Sequence, residues 1–185
     1  MLRTGEGETV PGTVLFPKER RRSIEIVWKD PDGKTRPEFV TIRGCVSDWK
    51  AAHNISLGMS LKRLEKLNGR PFHLVGFDWD YSGTITSWDE GLLAPELNGG
   101  QGRVILRLSC SGDKTTPQEY SKVIGDRDFS SRHPVMQKMN PTVGEDRLGI
   151  SKVSDDSRLL ATPRSRRTTP SPLLRSCRAR LSLRG

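Results

Sequence analysis

Apolar residues are scarce in this chain. Ala, Val, Ile, Leu, Met, Phe, Trp, Tyr and Cys make up 33% of its 185 residues. An ordinary globular chain holds roughly 45–50%, with Gly counted. No apolar run reaches the roughly 18 residues of a membrane-spanning helix, so no span is expected. The start, Met1-Leu2-Arg3-Thr4-Gly5-Glu6, carries no apolar core of a signal peptide, so no secretory signal is expected in the chain as it stands. Only three Cys occur, Cys45, Cys110 and Cys177, with no CxxC and no Cys/His zinc spacing. That excludes a disulfide framework. It leaves two readings: buried free thiols, the plainer one, or a single Cys45–Cys110 bond in an oxidising compartment. Acidic residues are missing from the last 29 positions. Ser157–Gly185 holds eight Arg and no Lys, Asp or Glu, while the remaining 23 basic and all 22 acidic residues lie before it. The net charge of +9 therefore belongs almost wholly to the tail. The domain sits near neutrality and loses the electrostatic argument for nucleic-acid binding. The length suits one domain with extra sequence and excludes a large barrel or a multidomain enzyme.

What is present reads as an α+β fold. Ser23–Lys29 alternates, with Ile24, Ile26 and Trp28 on one face, as a half-buried strand does. Asp30-Pro31-Asp32-Gly33 has turn chemistry, with Gly33 expected at φ > 0, and Glu38–Arg43 returns as the second strand. Trp49 is expected to anchor the irregular stretch 44–55. Ser60 can cap a short helix in which Leu61, Leu64 and Leu67 form an apolar stripe. Gly69 suits its left-handed end, and Pro71 cannot continue it. Phe72–Phe77 and Thr84–Trp88 predict a second hairpin. Asn98–Gly102 reads as a flexible loop, Arg103–Ser109 as a further strand, and 111–122 as polar loop. Pro134–Met139 predicts one helical turn, capped by Ser130 or Ser131. After Val143, Ser, Arg, Pro, Thr and Leu dominate without periodicity, which predicts disorder. The expected organisation is an extended segment over 1–22, one α+β domain over 23–143 and a tail over 144–185. The sheet is expected to consist of two hairpins and a further strand, with the capped helix packed on it.

Candidate chemistry concentrates in Asp78-Trp79-Asp80-Tyr81, with Asp89 and Glu90 at the far end of that hairpin. A DxD loop can ligate Ca²⁺, but the oxygen-rich spacing of a calcium loop is absent, so no metal is expected. Asp78 and Asp80 could form an acid/base pair, as in glycosidases, but nothing else in so short a chain supports one. His53, His73 and His133 are dispersed, without HExxH. Ser130 and Ser131 near His133 have no GxSxG elbow. The Gly-rich 98–102 stretch lacks phosphate-cradle spacing. Arg20-Arg21-Arg22, flanked by Glu19 and Glu25, reads as a solvated run. Trp28, Trp49, Trp79 and Trp88 either anchor the core or, if exposed together, mark a recognition face. The residues assigned to ligand or partner binding are Asp78, Trp79, Asp80, Tyr81 and Trp88. No catalytic residue and no cofactor is assigned.

The block from Gly58-Met59-Ser60-Leu61 through Leu67-Asn68-Gly69-Arg70-Pro71-Phe72 and on through Gly76-Phe77-Asp78-Trp79-Asp80-Tyr81-Ser82-Gly83-Thr84 resembles a family of uncharacterised bacterial cell-envelope proteins. The likeness extends to Gly5–Glu8, Gly12–Pro17 and Gly125–Ser131. Members of that family carry a signal peptide or lipoprotein leader and have no assigned activity. Gly58-Met59-Ser60 and Gly69-Arg70-Pro71 are more loosely similar to outer-membrane assembly lipoproteins of the SmpA/OmlA type. Arg63 stands where that group has a capping Glu or Gln. The resemblance implies a periplasmic or envelope location and little chemistry. The family ends in a short strand after its Asn-Pro. Here Asn140-Pro141-Thr142-Val143 runs on into the Arg-rich tail, a composition that an out-of-frame translation of a GC-rich gene would give. The expectation is therefore a non-catalytic envelope module that binds an unknown protein or small ligand. The alternatives are a hydrolase using Asp78/Asp80, or a genuine basic tail that binds nucleic acid or an anionic surface.

Overall fold

The computed structural model describes residues 1–3, 8–44, 46–95, 102–109 and 114–150. Two short strands, β1 (Leu2–Arg3) and β2 (Thr9–Val10), pair antiparallel at the N-terminus. Leu2 packs over Gly12, where a side chain would strike its terminal methyl group. β3 (Gly12–Leu15) then pairs with β4 (Ile24–Asp30), Thr13 facing Ile26 and Leu15 facing Ile24. β4 and β5 (Thr35–Arg43) form the first expected hairpin. Its turn is organised by Asp30, whose carboxylate accepts from the Gly33 N–H at 3.1 Å and from the Thr35 hydroxyl at 3.1 Å. Positive φ falls on Lys34 (49°) and Arg36 (54°), not on Gly33 as expected. Gly33 is needed for space, because a Cβ there would lie 2.5 Å from Asp30 Oδ2. The stretch after β5 is clamped to the Arg run. Asp48 pairs with Arg21 at 2.7 Å, and the half-buried Trp49 donates its indole N–H to Arg22 O at 3.0 Å.

α1 (Leu61–Asn68) begins at Ser60, whose Oγ accepts from the Arg63 N–H at 3.4 Å. It ends at Gly69, left-handed at φ 76°, whose N–H donates to Glu65 O. Leu61 and Leu64 are fully buried, while Leu67 is half-buried and Asn68 fills the next inward position. β6 (His73–Val75) and β7 (Ile85–Ser87) form the second hairpin. β8 (Gly102–Ser109) is the further strand. α2 (Pro117–Tyr120) lies where polar loop was expected. It is fixed by a capping box in which Thr116 and Glu119 each accept from the other's backbone N–H. β9 (Asp128–Ser130), where the sequence predicts no strand, completes a three-stranded sheet in the order β7-β6-β9. α3 (Pro134–Met139) matches the expected turn, but its cap is His133, whose Nδ1 accepts from the Val135 N–H at 3.3 Å. Ser131 does not serve as that cap, because its hydroxyl is occupied in the core.

β10 (Thr142–Ile150) makes one sheet of the rest, in the order β3-β4-β5-β10-β8. Arg147 stands opposite Thr41 of β5 on one edge and Ile105 of β8 on the other. The sheet therefore takes in residues on both sides of the expected 23–143 domain. β3 adds Gly12–Leu15 from the segment assigned as extended, and β10 carries the chain seven residues beyond Val143, to Ile150. The physical reason is tertiary: Gly144-Glu145-Asp146-Arg147 is poor strand material alone but pairs along both edges. Cys45, Cys110, Cys177, most of the 98–102 loop and the tail from 151 lie outside the described residues, as does the question of a Cys45–Cys110 bond. Among the described residues no helix is long and apolar enough to cross a membrane.

The core lies between α1, α3, the small sheet and the β10–β8 side of the large one, with Leu61, Leu64, Phe72, Phe77, Leu106 and Met136 at its centre. One polar brace crosses it. Fully buried Ser131 accepts from the Phe72 N–H at 3.1 Å and donates to Glu65 Oε2 at 2.7 Å. Gln137 Nε2 donates to the same Glu65 oxygen at 3.1 Å and to Ser131 O at 2.9 Å. Every donor in the brace is matched, so a buried hydroxyl is tolerated there. Ser131→Ala strands the Phe72 N–H and removes a donor from Glu65. The expected loss is about 1–3 kcal/mol of unfolding free energy in urea titration, and a loss under about 0.5 kcal/mol would contradict this role.

Candidate functional site

The loop between β6 and β7 is held at both ends by the backbone. Phe77 N–H donates to Val123 O at 3.0 Å, and Gly125 N–H donates to Phe77 O at 3.0 Å. On the other side, Gly83 N–H reaches Val75 O at 3.2 Å, and Leu108 N–H donates to Gly83 O at 2.8 Å. Gly83 is left-handed at φ 69°, and any Cβ there would collide with the Leu108 carbonyl. Ser82 N–H to Trp79 O and Thr84 N–H to Tyr81 O close two turns inside the loop.

Side chains tighten it further. The Tyr120 hydroxyl donates to Asp78 Oδ1 at 2.7 Å, and the Tyr120 ring stacks on Phe77 with centroids 6.3 Å apart. Arg107 donates to the carbonyl of Asp80, not to its carboxylate, and its Nε donates to Thr84 Oγ1 at 3.4 Å. Asp78 itself sits at φ 67°, an uncommon conformation for a non-glycine residue. Two large aromatic rings protrude from this fixed base: Trp79 is 62% exposed and Tyr81 56% exposed.

Four of the five residues singled out from the sequence, Asp78, Trp79, Asp80 and Tyr81, thus share one loop. Trp88 does not join them. It is 3% exposed and packs on Phe72 with centroids 5.2 Å apart, so it serves the core. Trp28 and Trp49 are half-buried. The Trp set therefore divides into core, rim and surface, and only Trp79 is a surface residue.

A second polar cluster, centred on Asp89, occupies the other end of the hairpin. His73 Nδ1 lies 3.0 Å from Asp89 Oδ1, and the Ser87 hydroxyl donates to the same oxygen at 2.8 Å. Arg70 donates to Asp89 O at 2.7 Å. The imidazole and the hydroxyl are two partners of one carboxylate, not the relay of a nucleophilic triad. Beneath them the buried Asn68 amide donates to Trp88 O at 2.9 Å and Arg70 O at 3.1 Å, and accepts from the Leu93 N–H at 3.2 Å. This fixes the turn in which Asp89 (φ 50°) and Glu90 (φ 56°) adopt left-handed backbone. The cluster depends on the β6/β7 register, which sets His73 opposite Ser87. His53 and His133 stand elsewhere. Among the described residues no group of three or more His, Cys, Asp or Glu side chains converges to hold a metal ion.

Burial pulls the Asp89 carboxyl upward, but the hydrogen bonds from Ser87 and His73 and the charges of His73 and Arg70 outweigh it and hold the group below its ordinary 3.8. A carboxyl depressed in the folded state contributes stability above its unfolded pKa and loses it as pH falls through the folded value. Asp89→Asn is therefore expected to cost stability at neutral pH by less than a buried pair would, since the group is partly solvated. The gap to the wild type should close as pH falls below 3.8, read from urea midpoints across the acid range. A gap that stays constant to the lowest pH would contradict the assignment. Comparison with protein-family models, with curated proteins and with solved structures gives no match for this chain.

Proposed function

We propose that the chain is a non-catalytic module of the bacterial cell envelope that binds a protein or small ligand through the Trp79–Tyr81 loop. The observation that carries this reading is the exposure of Trp79 and Tyr81 on a loop immobilised from both sides. Exposed aromatic pairs of this kind are typical of recognition faces, where they bury large area on contact. Prior fixation lowers the ordering cost of binding. The envelope location rests on the resemblance of the Gly58–Phe72 and Gly76–Thr84 segments to bacterial envelope proteins.

The hydrolase alternative would use Asp78 and Asp80 as an acid/base pair. One Asp78 oxygen already accepts from the Tyr120 hydroxyl, and the Trp79 ring protrudes from the residue between the two. That arrangement supports a contact surface more readily than a proton-transfer pair. The test is a paired capture experiment in the source organism, with wild-type bait against Trp79→Ala/Tyr81→Ala. Both side chains are exposed, so the double variant should unfold within about 0.5 kcal/mol of the wild type. The expected result is a partner enriched by the wild type and lost from the variant. A partner held equally by both, or none held by either, would contradict the proposal.

A further inference from the structure

We infer that the Trp79–Tyr81 loop recognises arginine side chains, and that its occupant in the intact chain is the chain's own Ser157–Gly185 segment. The inference rests on the reading of that loop as a recognition face and names its chemistry. An exposed Trp and Tyr offer ring faces to a cation, and guanidinium is the side-chain cation that most often stacks on them. Asp78 and Asp80 flank Trp79. A planar guanidinium can stack on a ring while donating to a neighbouring carboxylate, which an ammonium point charge does less well. Arg107 brings one positive charge to the base of the loop. Its guanidinium is already committed to the Asp80 carbonyl and the Thr84 hydroxyl.

The complementary surface is in the same molecule. Ser157–Gly185 carries eight Arg and no acidic residue, while the remainder of the chain is close to neutral. Reach permits the contact. Ile150 pairs with Gly102, five residues along β8 from Arg107, which is about 17 Å at roughly 3.4 Å per residue. The stretch 151–157 can span about 23 Å when extended. That length can bring the first tail arginine, Arg158, as far as Arg107, whose guanidinium donates to the Asp80 carbonyl of the loop. Tethering also keeps the tail at an effective concentration of order millimolar, so weak individual contacts suffice.

The test uses the full chain labelled with fluorotryptophan, with the Trp79 resonance assigned from Trp79→Phe. It compares the wild type, Asp80→Asn, and a variant in which all eight tail arginines are changed to Gln. At about 50 mM salt the wild-type Trp79 resonance should differ from that of the Arg→Gln variant. Raising salt to about 500 mM should move it to the variant's position, because exposed charge contacts are screened. Asp80→Asn should lie between the two, and the buried Trp88 resonance should stay fixed throughout. Identical Trp79 resonances in wild type and the Arg→Gln variant at both salt levels would overturn the inference. A difference that grows with protein concentration would overturn the intramolecular placement. A bound tail would compete with an external partner, so the capture experiment is repeated with the Arg→Gln variant as bait; a partner held by that variant and lost on Trp79→Ala/Tyr81→Ala supports the recognition face whatever the tail does.

Discussion

The pairing of β10 along both of its edges joins the N-terminal strands and β8 into one five-stranded sheet. On one side lies β5, the end of an N-terminal ribbon made of β3, β4 and β5. On the other lies β8, which belongs to the main core through Leu106 and Leu108. Without β10, the ribbon would have no ladder to the core among the described strands, and a short ribbon with one poorly covered face is marginal alone. The strand achieves this with two glycines and three charged residues in nine positions, because backbone pairing does not depend on side-chain identity.

The same pairing sets up the exposed loop. β8 is positioned by β10, and β8 supplies both the Leu108 amide that binds Gly83 O and the Arg107 guanidinium that binds Asp80 O. From the other side, α2 and the turn after it supply Tyr120 and Val123. The loop is thus gripped by elements far from it in sequence, and its two aromatic rings are left outside that grip. That support fixes the backbone beneath the exposed Trp and Tyr.

Much of the framework was legible in the sequence, and the reasons are local. Ser60, the Leu stripe and Gly69 punctuate α1 within ten residues. The β4/β5 turn and the Pro134 helix carry equally local signals. What escaped was long-range. β10 reads as tail because its partners lie roughly 40 and 100 residues away, and β9 is too short to show a period. α2 falls where polar loop is expected, although Thr116-Pro117-Gln118-Glu119 spells a capping box with Pro at the first position, a signal carried by the sequence itself.

Asp78–Tyr81 share one loop, as their adjacency in sequence implies, while Trp88 is buried away from it. Strand alternation alone does not say which side of a short hairpin faces the core, and Phe72 and the α1 side took Trp88 inward. The Asp89–His73–Ser87 cluster arises only once the hairpin register is known. The claim that β10 joins the two halves is tested most directly by amide hydrogen exchange, residue by residue, on the full chain. The amides of Glu145–Gly149 should exchange as slowly as those of Val104–Leu108. Exchange at free-chain rates across 145–149, with 104–108 still protected, would contradict it.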